Sequence, residues 1–115
     1  MRLKAGIWVS AYVRQLSGAA IPVAVMRRGD PDAGAIFVKI NTLDGFALVL
    51  RPAASGLEGT DTDRRWSPAL PGGRAEEGAA DAYLTRQAGF DSDIWVVEVE
   101  DRRGRHFLDE FVVAE

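Results

Sequence analysis

The stretch that decides the fold is residues 21–51, IPVAVMRRGDPDAGAIFVKINTLDGFALVLR. It holds three apolar runs separated by turn chemistry. Residues 21–28 read as a strand that opens on Pro22, where a missing N–H is tolerated. Gly29-Asp30-Pro31-Asp32 is a turn, because glycine supplies unusual φ and aspartate bonds its own backbone. Residues 34–41 are β-branched and aromatic, a second strand. Asp44-Gly45 favours a tight hairpin with positive φ, so residues 46–51 form the third strand. The three are expected as an antiparallel meander.

Outward from this core, residues 52–63 (PAASGLEGTDTD) are small, polar and Gly-rich, the composition of a mobile surface loop. Residues 64–70 contain Trp66 but also Pro68, which cannot donate to a ladder, so they predict a weak edge strand. A helix is predicted over 75–88, with Ala79, Ala80, Tyr83 and Leu84 inward and Gly89-Phe90 as a Schellman end. On the N-terminal side, helical spacing places Trp8, Val9, Tyr12, Val13 and Leu16 on one face of a helix over 8–19. Residues 94–101 (IWVVEVED) make a strand with Trp95, Val97 and Val99 on one side and Val96, Glu98 and Glu100 on the other. His106-Phe107-Leu108 reads as a last strand, and the tail 109–115 fits no single element. The expected class is α+β, one domain over 1–115. Its mainly antiparallel sheet has about five strands, in the order α-β-β-β-β-α-β-(β), with both helices on one face.

The 115 residues are 47% hydrophobic and 27% charged, the balance of a folded globular chain. A net charge of −3 predicts no nucleic-acid partner, since phosphate neutralisation needs a basic excess. There is no polybasic segment for a membrane surface and no run long enough to span one. The N-terminal run from Ala5 to Val13 is too short and polar for a secretory signal and reads better as an amphipathic helix. With no cysteine, thiol chemistry and Cys-based metal sites are excluded. A cytoplasmic protein without metal or other cofactor is expected.

No phosphate-cradling P-loop, dinucleotide fingerprint or nucleophile elbow occurs. Any nucleophilic triad would need His106, the sole histidine, as its base. His106 is close in sequence to Asp109 and Glu110 and falls opposite Glu98 or Glu100 if a hairpin joins them, so these form the candidate acid–base group. Glu98 and Glu100 share a strand face roughly 7 Å apart. The plainer account gives them cross-strand cationic partners such as Lys39. Three arginine pairs, Arg27-Arg28, Arg64-Arg65 and Arg102-Arg103, would make an anion site if they converged, because guanidinium forks match oxyanions. Trp8 and Tyr12, one turn apart, either pack in the core or face a partner.

The segments Arg2-Leu3-Lys4, Trp8-Val9-Ser10-Ala11-Tyr12, Gly34 to Lys39, Trp95 to Asp101 and Gly104-Arg105-His106-Phe107, in this order and spacing, resemble a family of small alphaproteobacterial proteins known as domain of unknown function 1491. The resemblance spans nearly the whole chain. It implies a bacterial cytoplasmic protein and no particular reaction. The leading expectation is a non-catalytic module that binds a protein partner or a second copy of itself, through an edge strand or the Trp8–Tyr12 face. The alternative is a small enzyme or a metal or anion site built on His106 and residues 98–101.

Overall fold

The computed structural model describes residues 2–53 and 64–114. Two helices, α1 (Ala5–Gly18) and α2 (Glu77–Phe90), accompany six strands. These are β1 (Val23–Arg27), β2 (Ile36–Asn41), β3 (Phe46–Pro52), β4 (Trp66–Pro68), β5 (Ala75–Glu76) and β6 (Trp95–Glu100). The class is α+β with a mostly antiparallel sheet. Of the loop expected at 52–63, Pro52 belongs to β3, where it lies opposite Trp66; from residue 54 onward that expectation lies outside the described residues.

β2 and β3 form the expected hairpin, with Val38 opposite Leu50 and Asn41 opposite Ala47. Gly45 adopts φ 89°, as the turn requires. The meander fails at β1. The sheet order is β1-β6-β2-β3-β4, with β5 pairing β3. β6 stands between β1 and β2, antiparallel to the first and parallel to the second. Burial explains the insertion. β6 is apolar on both faces over Trp95, Val96 and Val97, all buried, whereas β1 alternates half-buried and exposed residues. A strand apolar on both sides belongs in the interior of a sheet and an alternating one fits its edge.

The helices lie on opposite faces of this sheet, not on one. Ile36, Val38 and Ile40 of β2 join Val9, Tyr12 and Leu16 of α1 in one core, with Val97 and Val99. Phe37 and Val96 face the other way and join Ala80 and Leu84 of α2. Because side chains alternate along a strand, a sheet this apolar needs cover on both sides. Ala79, expected inward, is exposed.

The β1–β2 connection passes close to residues 93–94. A Cβ at Gly29 or Gly34 would lie 2.1 or 2.4 Å from the Asp93 carbonyl oxygen, so both positions need glycine. The Schellman end forms on α1 instead of α2. Ile21 N–H donates to Leu16 O and Ala20 N–H to Ser17 O, with Ala20 at φ 61°. α2 runs through Gly89 to Phe90, whose ring projects into solvent. Residues 106–108 form no strand. Leu108 is buried in the α1 core, and a short 3-10 turn follows at Asp109–Phe111.

Candidate binding surface

The expected acid–base group is divided between the two faces of the sheet. His106 packs with the α1 layer: its carbonyl accepts the Tyr12 phenol O–H at 2.7 Å. Its Nδ1 accepts the Leu108 backbone N–H at 3.0 Å, which places the ring proton on Nε2. Burial lowers the His106 pKa, and the Asp109 charge only partly offsets this. Asp109 Oδ1 stands 3.8 Å from Nε2 and is almost fully exposed. Glu98 lies on the α2 face, paired with Lys39, and Glu100 shares that face. The ring therefore serves as an acceptor that shapes the turn before Leu108. Among the described residues, no three acidic or histidine side chains are grouped to hold a metal ion.

Tyr12 is buried and Trp8 half-buried, both packed against the α1 core. Their rings stack at 4.8 Å, and Trp8 meets Trp66 at 5.1 Å. Trp66 in turn donates its indole N–H to Ile36 O at 2.9 Å. This aromatic group pins α1 and β4 to the sheet, with Tyr12 and Trp66 buried and Trp8 half-buried at its edge.

The arginine pairs do not converge. Arg27 lies opposite Val96, near the start of β6, and donates to Ser92 O at 2.9 Å. The Arg28 guanidinium sits 5.5 Å from the Trp95 ring centroid. Arg64 and Arg65 precede β4 at the opposite edge of the sheet. Arg102 and Arg103 follow the far end of β6. There the Asp101 carboxylate accepts bonds from the Arg105 backbone N–H, Nε and Nη2, at 2.8, 3.1 and 2.8 Å. These bonds to Arg105 hold the Asp101 pKa down to about 2.

A different constellation occupies the α2 face. The Lys39 side chain is only 4% exposed, and its Nζ meets Glu77 at 2.8 Å, Asp81 at 2.6 Å and Glu98 at 3.3 Å. Burial alone would lower its pKa; the bonds to Asp81, Glu77 and Glu98 reverse this and raise it above the ordinary lysine value. Asn41 Nδ2 donates to Glu77 at 3.0 Å. The Lys39–Glu98 pair follows from register, since the two are neighbours on parallel strands. Glu77 and Asp81 do carry a signal in the sequence: a spacing of four on one helix, matched by Lys39 as the only charged residue of an apolar strand.

Beside this cluster the sheet is bare. α2 lies over β2 and β3 and reaches β6 through Val96. A cleft of about 620 Å3 opens between Leu84 and Ala88 of α2 and Met26 of β1, with Lys39, Glu77, Asp81 and Glu98 along it. A second hollow of about 260 Å3 adjoins it at Met26 and Glu98 and extends over Pro22 and Ala24 to Glu100. Met26 is 61% exposed. Among the described residues no strand pairs the outer edge of β1. Glu100 N–H donates to Pro22 O at 2.9 Å. By the alternation of an antiparallel ladder, Val23 and Val25 therefore turn their backbone N–H and C=O away from β6, towards that open edge. A β-bulge at Met26 ends the regular ladder.

The family model for a protein of unknown function, DUF1491, matches residues 3–109. The chain belongs to the DUF1491 family. Its fold is similar to the crystal structure of a DUF1491 protein from Caulobacter crescentus, at 39% identity and a TM-score of 0.80, with 98% of this chain and 99% of that one covered. An NMR structure of a DUF1491 protein from the same bacterium matches at 40% identity and TM-score 0.80, covering 98% of each chain. The solution structure of protein Atu0922 from A. tumefaciens matches at 38% identity and TM-score 0.74, covering 87% of this chain and 86% of that one. No curated protein sequence matches. DUF1491 relatives thus share the architecture and carry no assigned reaction. Among the described residues no helix is long and apolar enough to cross a membrane.

Proposed function

We infer that this DUF1491 domain is a non-catalytic interaction module of the bacterial cytoplasm that accepts an extended, cationic segment of a protein partner along the edge of β1. The observation that carries this reading is the bare β1–β6 face, with its exposed Met26 and the outward backbone groups of Val23 and Val25. An added strand takes its affinity from main-chain hydrogen bonds and its selectivity from alternate side chains. On the α2 side the incoming side chains cross Ala24 and Met26 towards Glu98 and Glu100. Long lysine or arginine stems suit that path, because their methylenes cover apolar surface while the charge reaches the carboxylates. Among the described residues, four carboxylates, Glu77, Asp81, Glu98 and Glu100, face two cations, Lys39 and Arg27, around the two hollows. On the α1 side, a shallow pocket of about 310 Å3 has Val9, Val13, Val25 and Trp95 to meet apolar side chains, with Ser10, Arg14 and Arg28 also lining it.

The test is fluorescence anisotropy with a labelled peptide alternating lysine and valine, against the same peptide with glutamate for lysine. The lysine peptide is expected to bind, to weaken with added salt, and to weaken further on Glu100→Lys. Equal binding of both peptides, or of neither, contradicts the reading. So does a concentration-dependent dimer that competes with the peptide for the β1 edge, which would make a second copy the occupant.

A further inference from the structure

At the end of the sheet where β2 begins, a cavity of about 320 Å3 is ringed by Arg2, Lys4, Arg64 and Arg65 and has, among the described residues, one carboxylate, Asp32, on its wall. The chain folds so as to bring these cations together. The N-terminal segment leads into α1 beside the 29–34 turn, where Ala5 N–H donates to Asp32 O and Gly6 N–H to Pro31 O. Arg64 enters β4 from the other side, and its Nη1 donates to Leu3 O at 2.8 Å. That bond fixes the Arg64 guanidinium against the segment that carries Arg2 and Lys4. Asp32 gives little relief: its closest approach to Lys4 Nζ is 3.7 Å, with both side chains about two-thirds exposed. Burial and the nearby Arg2 charge both lower the Arg64 pKa, as expected for like charges held close.

We propose that this cavity binds a small phosphate monoester, with Arg64, Arg2 and Lys4 on the phosphate and the organic group against Leu3, Ala35, Ile36 and Pro52. Guanidinium forks match phosphate oxygens with two parallel bonds, and lysine adds a point charge. A dianionic head suits several clustered cations better than a single carboxylate does. The cavity exceeds the phosphate group itself, and its remaining wall is apolar. Since the first two amides of α1 are already bonded to carbonyls, recognition falls to side chains. The site is separate from the β1 edge and does not depend on the reading given for it.

The experiment is a 15N NMR titration of the full chain at constant ionic strength, with phenyl phosphate, inorganic phosphate and phenol as probes. Saturable shifts at Lys4, Ala35 and Arg64 are expected with phenyl phosphate, weaker ones with inorganic phosphate and none with phenol. Arg64→Gln should weaken phenyl phosphate about tenfold, the loss of one charge-assisted contact, while Arg102→Gln should leave it unchanged. If Arg64→Gln disturbs the fold, Arg2→Gln, at an exposed position, carries the same expectation. Absence of saturable shifts, or equal effects of Arg64→Gln (or Arg2→Gln in its place) and Arg102→Gln, would overturn the proposal.

Discussion

Lys39 and Glu98 are neighbours on the parallel strands β2 and β6, with Nζ 3.3 Å from Oε1. Their contact joins the sheet to α2, because the same ammonium holds Glu77 and Asp81. Lys39→Met takes from three carboxylates the ammonium they share. The expected cost is about 3 kcal/mol, the low end for breaking a buried pair, because Glu77 and Asp81 reach solvent. Urea denaturation measures it; a midpoint unchanged from wild type would show that the cluster adds nothing to the fold.

Ala20 occupies the left-handed position after α1, at φ 61°. An L-residue with a Cβ costs roughly 1–2 kcal/mol there, part of which glycine gives back as unfolded-state entropy. Ala20→Gly should therefore stabilise the domain by about 0.5–1 kcal/mol. Thermal unfolding at one pH tests the sign, and a lower melting temperature would refute it.

His106 should remain neutral at pH 7, with a titration midpoint below the ordinary value of about 6.5. The native state then binds fewer protons than the unfolded chain between the two midpoints. Its contribution to stability is complete above about pH 6.5 and declines as pH falls through that window. Imidazole NMR shifts followed against pH give the midpoint directly; one at or above the ordinary value contradicts the buried-acceptor role.

The Asp101 carboxylate, bonded three times by Arg105, makes the opposite end of the sheet acid-sensitive. Its native pKa of about 2 lies below the ordinary aspartate value of about 3.9. Stability from this group is full above the ordinary value and is lost as pH falls through the native one. Asp101→Asn should cost about 1–3 kcal/mol at pH 7 and flatten the stability profile between those two values. An unchanged acid profile in the variant would show that the loss arises elsewhere.

Much of the fold was legible in particular residues. Asp44-Gly45 announced the β2–β3 hairpin, and the spacing of Val9, Tyr12 and Leu16 announced α1. The position of β6 was not, although Trp95, Val96 and Val97 in succession already marked a strand apolar on both faces. Strand order depends on long-range pairing, which local periodicity does not encode. The helices were expected on one face, whereas α1 and α2 cover opposite faces, because Val38 and Lys39 point to different layers. The Lys39–Glu98 contact was foreseen in kind as a cross-strand pair, whereas its extension to Glu77 and Asp81 required knowing which face α2 covers. His106 stood out as the sole histidine, yet its hydrogen bonds make it part of a turn.

The central claim is that β1 receives a partner strand. The most direct measurement is amide hydrogen exchange at Val23 and Val25, with and without the lysine–valine peptide. Strand addition predicts slower exchange at both amides on binding, with Ala24, already turned towards β6, little changed. Binding of the peptide with no added protection at Val23 and Val25 would contradict it.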